Sequence, residues 1–159
     1  MTAIVTGTFD PITLGHMEVI KKASATFDKV TVLLCQNFDK VNLFPPDTRL
    51  EMIKVSVEDF CNVQVEYHEG WLYEYLKKQK DVVLFRGVRN FEDFEYEKNM
   101  ADFNLEHSGV ETLFAFAKGE TKDLSSTFVR DLISNKKDFE KYLPPKALEI
   151  AKKYLEKHN

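Results

Sequence analysis

The residues in this chain best suited to chemistry are cations, hydroxyls and one histidine, set close to glycines. TGTFDPITLGH occupies residues 6–16, RGVR residues 86–89 and LSST residues 124–127. None of these stretches offers an obvious nucleophile. What they share is the means to hold an anion. Gly7 lets the backbone approach a ligand or take a positive φ. Pro11 limits the bend, and Thr13 caps a helix with Gly15 and His16 in its first turn. The free N–H groups of a helix start, with the positive end of its dipole, favour phosphate. His16 adds a donor beside that phosphate, and Thr8 aims a hydroxyl at it. The plainer reading is a structural turn, a turn-stabilising Thr8 and a solvent-facing histidine, and the residue types leave both open. Arg86 and Arg89, with Gly87 between them, can fork onto phosphates or pair with the acidic stretch that follows. Ser125, Ser126 and Thr127 start a helix that can bind phosphate, cap itself, or do both.

Such groups converge only if the scaffold brings them to one edge. Short apolar runs at 3–6, 30–35, 63–67, 82–85 and 113–117 read as strands, several nearly continuous in hydrophobicity. That pattern suits a sheet covered on both faces. Helix-period segments lie between them at 14–27, 47–59, 71–79 and 91–107, followed by 126–134 and 145–158. In 91–107 the expected inward residues are Phe94, Met100 and Phe103. Strands alternating with helices predict an α/β fold in one domain, 1–159: a Rossmann-like, five-stranded parallel sheet flanked by helices. The C-terminal helices follow the strand rhythm least and read as an appendage. Ligands of such sheets sit beyond the strands' carboxyl ends, at a switch in strand order. The loops after strands one and four are therefore favoured, and the irregular loop over 37–46 has the length of a functional one.

Bulk composition narrows the class of partner. Lys and Arg total 22 against 26 Asp and Glu, a net charge of −4, so no global basic field recruits nucleic acid. The N-terminus lacks a signal-peptide pattern, and no run of about 18 apolar residues suggests a membrane span. The expected setting is the cytoplasm. Cys35 and Cys61 have neither metal nor disulfide spacing, and each is expected to pack as a small apolar residue. His68, His107 and His158 show no metal spacing and read as surface or satisfied histidines.

Four stretches together carry a resemblance to a known family. GTFDPITLGH resembles the T/H-x-G-H signature of the nucleotidyltransferase α/β-phosphodiesterase superfamily. Thr13, where many members have histidine, makes it similar to the phosphopantetheine adenylyltransferases of bacterial coenzyme A synthesis. LFRGVRNFEDFEYE (84–97) resembles that family's R-G-[LV]-R-x-x-x-D-F-E-Y-E segment, and LSSTFVR (124–130) its I-S-S-T-x-[IV]-R. Lys40 stands after the second strand, where the family has a substrate-binding lysine. The resemblance spans essentially the whole chain. Other nucleotidyltransferases, such as nicotinate mononucleotide adenylyltransferases and cytidylyltransferases, usually carry histidine at the Thr13 position and lack D-F-E-Y-E. A catalytically silent nucleotide-binding module is the alternative of a different class, and His16, Lys40, Arg86 and Arg89 together argue against it.

The resemblance implies transfer of the adenylyl group of ATP to 4′-phosphopantetheine, giving dephospho-coenzyme A and pyrophosphate. Catalysis would come from positioning and charge stabilisation around an in-line transition state. It implies His16 as donor to the α-phosphate, neither metal ligand nor classical base. Thr8 would orient the attacking phosphate, Lys40 would neutralise charge between the substrates, and Arg89 would act on ATP. Arg86 and Leu72 would hold the acceptor. ATP would also meet the backbone of Thr8 and Phe9, Gly87, Val88, Glu97, the adenine-flanking Thr121, Lys122, Asp123 and Leu124, and Ser125, Ser126 and Thr127. Without the resemblance, Lys40 reads as a solvated loop lysine and Glu97 as part of a solvated helix face. Mg2+ is expected on the ATP phosphates, with no protein metal cage. A homohexamer and feedback binding of coenzyme A are likewise implied. The chain departs from the family pattern at Phe38, where proline is common, at Trp71, where leucine is common, and at Leu105, where a basic residue often follows asparagine.

Overall fold

Period-two alternation along three central strands decides the layering. Ala3 and Val5, Val30, Val32 and Leu34, and Val83 and Phe85 bury on one face, while Ile4, Leu33 and Leu84 bury on the other. This is how a strand covered on both sides must place its side chains. The computed structural model describes residues 1–36 and 39–158; Asn37, Phe38 and Asn159 lie outside the described residues, and with them the expectation attached to Phe38. The strands are β1 (Thr2–Gly7), β2 (Lys29–Gln36), β3 (Val63–Glu69), β4 (Val82–Val88) and β5 (Thr112–Phe116). All pair in parallel in the order β3-β2-β1-β4-β5. The expected α/β fold class, with its five-stranded parallel sheet, holds.

The helices are α1 (Leu14–Thr26), α2 (Pro46–Val57), α3 (Leu72–Leu76), α4 (Phe91–Ser108), α5 (Ser126–Ser134) and α6 (Pro145–His158). Residues of α1, α2, α5 and α6 join the larger core. Tyr75 and Leu76 of α3 join the smaller one, and α4 packs against α3 and β4. The chain runs outward from β1 to β3, then crosses back to lay β4 on the other side of β1. The switch in strand order therefore falls between β1 and β4, where a crevice opens at the carboxyl ends.

Four local expectations change. Strand β4 continues past residue 85 to Val88, because Arg86, Gly87 and Val88 still pair with Phe114, Ala115 and Phe116 of β5. Helix α4 does not bury an apolar stripe: its buried residues are Glu97 and Asn104, and Met100 is exposed. Its inward side faces a cavity, so polar groups are tolerated there. Phe94 packs edge-on to Phe114, and Phe103 stacks on His107. The C-terminal helices are no appendage, since Ala147 and Ala151 are fully buried in the main core and α6 packs along α2. Cys61 is exposed rather than packed, and Cys35 is half-buried against the Thr6 hydroxyl.

Candidate functional site

The bend after β1 turns as its residue types require. Thr13 is the N-cap of α1, and its hydroxyl accepts from the His16 N–H. In return the Thr13 N–H donates to His16 Nδ1 at 3.0 Å, closing a capping box with histidine at the third helical position. A ring nitrogen that accepts from a backbone N–H carries no proton, so the proton lies on Nε2. Burial, with Arg86 and Arg89 adding to it, pushes His16 down to about 4. The imidazole is therefore neutral and presents an Nε2–H donor. Phe9 packs against this ring at 4.8 Å with its own backbone at φ 46°, beside a cis Asp10–Pro11 peptide.

Two cavities meet at this bend. The first, about 510 Å3, is lined by Thr8, Phe9, His16 and Gly87, by Lys40, Arg86 and Arg89, and by Glu97, Thr121, Leu124, Ser125, Ser126 and Thr127. The starts of α1 and α5 both open onto it, so two sets of free N–H groups face one volume. Ser125 caps α5 by accepting from the Phe128 N–H, and the Ser126 hydroxyl donates to the Pro11 carbonyl, tying α5 to the bend. The second cavity, about 410 Å3, is lined by Gly70, Trp71, Leu72, Leu84, Tyr96, Met100, Asn104 and Thr112, among others. Thr6, Gly7, Thr8, Arg86 and Glu97 line both.

Arg86 occupies the shared wall. Its Nε and Nη2 donate to the two carboxylate oxygens of Glu97 at 2.8 and 2.7 Å, and its Nη1 donates to the Thr6 carbonyl. Three of its five N–H groups are thus engaged, and one on each terminal nitrogen is left for an oxyanion. Glu97 is 7% exposed, which overturns the solvated-face reading. Arg89 is steadied by Asp93, which takes its backbone N–H at 3.0 Å and its guanidinium at 3.4 Å. Gly87 is a packing necessity: a Cβ there would come within 2.5 Å of Val19 Cγ2. Its absence lets α1, and His16 with it, lie close over β4.

The remaining expected residues are less uniform. Leu72, expected to hold the acceptor, lines the second cavity. Val88 is buried in the sheet, and Lys122 and Asp123 are exposed outside the lining of both cavities. Thr121 turns its hydroxyl to the Glu18 carboxylate. His68 pairs with the Trp71 carbonyl, His107 with the Phe103 carbonyl and His158 with the Tyr154 carbonyl, as satisfied histidines should.

Sequence reasoning passed over three residues of this site. Arg130 lines the first cavity, with Nη1 on the Asp10 carbonyl and Nη2 on the Thr127 hydroxyl. It lies within the LSSTFVR stretch, one helical turn after Thr127, which was signal enough. Asp10, 2% exposed, and Arg49, fully buried, have no local signal, because each reaches a partner over more than 30 residues, Asp10 to Leu43 and Arg49 to Thr8.

Known proteins match this chain in sequence and in fold. A cytidylyltransferase-like family model matches residues 4–132. The chain is 42% identical to the phosphopantetheine adenylyltransferase of Lactococcus lactis subsp. cremoris, over 89% of this chain and 87% of that protein. It is 40% identical to the phosphopantetheine adenylyltransferase of Lactococcus lactis subsp. lactis, over 97% of this chain and 96% of that protein. Among solved structures, the nicotinic acid mononucleotide adenylyltransferase of Plasmodium falciparum complexed with NaAD superposes with a TM-score of 0.69 at 18% identity, covering 96% of this chain and 95% of its own. A structure described as a putative nicotinate-nucleotide adenylyltransferase from Vibrio parahaemolyticus gives 0.66 at 21% identity, covering 94% and 90%. At those identities the likeness is one of fold.

Proposed function

The chain belongs to the phosphopantetheine adenylyltransferases within the cytidylyltransferase-like family, and from that premise we propose that it transfers the adenylyl group of ATP to 4′-phosphopantetheine. A phosphate oxygen of the acceptor attacks the α-phosphorus of ATP. Pyrophosphate leaves, and dephospho-coenzyme A is formed. The observation that carries this reading is the wall of Thr8 and Arg86 common to both cavities. Two phosphorylated molecules, one in each cavity, would bring their phosphates together there.

The nucleophile is already an oxyanion and needs no base, so the residues act by holding and neutralising. ATP takes the first cavity, its β- and γ-phosphates toward Ser125, Ser126 and Thr127 and its α-phosphate toward His16. A neutral Nε2–H suits a donor whose bond strengthens as charge builds on the α-phosphate oxygens. Arg86 uses its two remaining N–H groups on the acceptor phosphate, and Thr8 aims that phosphate. Lys40, from the loop before α2, and Arg89 offset the repulsion between the two anions. The pantetheine arm lies in the second cavity along Leu72. Trp71, 64% exposed at that cavity, supplies an apolar wall.

A magnesium ion carried on the triphosphate would neutralise part of its charge. Among the described residues no group of three or more His, Cys, Asp or Glu could hold a metal ion, and a lining of hydroxyls and cations fits a cation that arrives on phosphate. Among the same residues no helix is long and apolar enough to cross a membrane, and the proposed setting is the cytoplasm. The proposal extends to a homohexamer and to feedback by coenzyme A, which shares the phosphate and pantetheine arm of the acceptor.

The test is magnesium-dependent pyrophosphate release with ATP and, in parallel, phosphopantetheine, nicotinate mononucleotide and glycerol phosphate. Release with phosphopantetheine alone is expected. Release only with either of the others would move the chain to another branch of the superfamily.

A further inference from the structure

Two buried charges, Asp10 at the lining of the first cavity and Arg49, are used by none of the roles above. A charge out of water is tolerated when hydrogen bonds replace its hydration, so its partners show what it holds. Asp10 accepts from the Leu43 N–H at 2.8 Å on Oδ2 and from the Phe44 N–H at 2.9 Å on Oδ1. Arg49 donates from Nε to the Phe44 carbonyl at 2.9 Å, from Nη1 to the Thr8 carbonyl at 2.8 Å, and from Nη2 to the Gln36 side-chain oxygen. Phe44 is therefore gripped at its N–H by a carboxylate and at its C=O by a guanidinium. Its ring is fully buried against Tyr154 of α6. Gln36 and Phe44 are the two ends of the loop that carries Lys40, and one guanidinium ties both ends to the backbone of Thr8.

We propose that Arg49 and Asp10 are positioning residues that close the base of the Lys40 loop and set Lys40 against Thr8 across the acceptor-phosphate site. The proposal rests on the adenylyl-transfer reading. It predicts a selective effect, because ATP is held mainly by the starts of α1 and α5, to which neither clamp side chain is bonded. Arg49→Lys keeps the charge and loses the planar fork. Asp10→Asn keeps the shape and gives up one of its two acceptors.

The experiment uses the full-length protein, with ATP and 4′-phosphopantetheine varied in turn. Arg49→Lys is expected to lower kcat/KM for phosphopantetheine by about 100-fold, and Asp10→Asn by about tenfold. Calorimetric ATP affinity should stay within about twofold of wild type in both. The double variant should fall no further than Arg49→Lys alone, since both residues act through one peptide. Multiplying effects, or ATP and acceptor parameters worsening together, would overturn the proposal. If Arg49→Lys does not fold, Asp10→Asn and Gln36→Leu carry the test, and unchanged acceptor parameters in both overturn it. Amide hydrogen exchange reads the clamp without substrate. Faster exchange at Leu43 and Phe44 in the folded variants, with sheet amides unchanged, supports it, and unaltered rates refute it. Absence of transfer by the wild type would instead sink the functional reading, leaving the clamp to be judged by exchange alone.

Discussion

The two cavities share one wall but are built on opposite principles. The first is closed by helix starts and surrounded by His16, Lys40, Arg86, Arg89 and Arg130, so its walls offer donors and positive charge. The second is closed by Leu72, Leu84, Tyr96, Met100 and Trp71, and beyond the shared wall its polar side chains include Gln36, Asp39, Asn104 and Thr112. A volume of the first kind discriminates by charge and geometry. One of the second kind gains by burying apolar surface, which is less directional. The difference teaches that chemistry and acceptor choice are separable here, and that Arg86 and Thr8 are where they join.

Removing the donor over the first cavity should have the largest effect. His16→Ala is expected to lower kcat by about 10²- to 10³-fold while ATP affinity, by calorimetry, changes little. A similar loss in affinity would mean the donor serves the ground state, and the contrast between the cavities would blur. Next comes the shared wall. Arg86→Gln should raise the KM for phosphopantetheine by about 100-fold. It should also cost about 3 kcal/mol of stability in denaturant melts, because Glu97 is left buried without its partner. An unchanged melt would show that Glu97 finds another partner.

The protonation of His16 sharpens the comparison further. Its pKa of about 4 lies below the ordinary histidine value of 6.5, so as pH falls the unfolded chain takes up this proton first. The stability contributed by neutral His16 is complete above about 6.5 and is lost as pH falls toward about 4. Nuclear magnetic resonance should find the Nε2–H tautomer at pH 6, and an imidazolium there would contradict the donor assignment. The smallest effect is expected in the second cavity. Trp71→Ala should raise the acceptor KM by a few-fold with ATP parameters and stability unchanged, because the indole is mostly exposed. An effect on ATP would show that the cavities are not separable.

Much of this could be read from residues close together in the chain. The cap at Thr13 and the helix start at Ser125 depend on bonds spanning three residues, and residue type announces them. The nearly continuous apolar runs of β1, β2 and β4 likewise announced a two-sided sheet. Glu97 was different. Eleven residues from Arg86, amid Glu92, Asp93 and Glu95, it looked like solvated charge. Only the packing of α4 over β4 made it the buried partner of a guanidinium. Met100 misled for the same reason: helical period tells which residues share a face, not whether that face meets core or cavity.

The sequence by itself determined the order of strands and helices, the capped bend after β1 and the family, because each follows from local chemistry and spacing. The tertiary structure alone decided that the bend forms a wall common to two cavities. It also decided that His16 is neutral, and that Asp10 and Arg49 bind a loop more than 30 residues from the bend. Burial and long-range hydrogen bonds belong to the folded arrangement, and no single stretch of chain contains them.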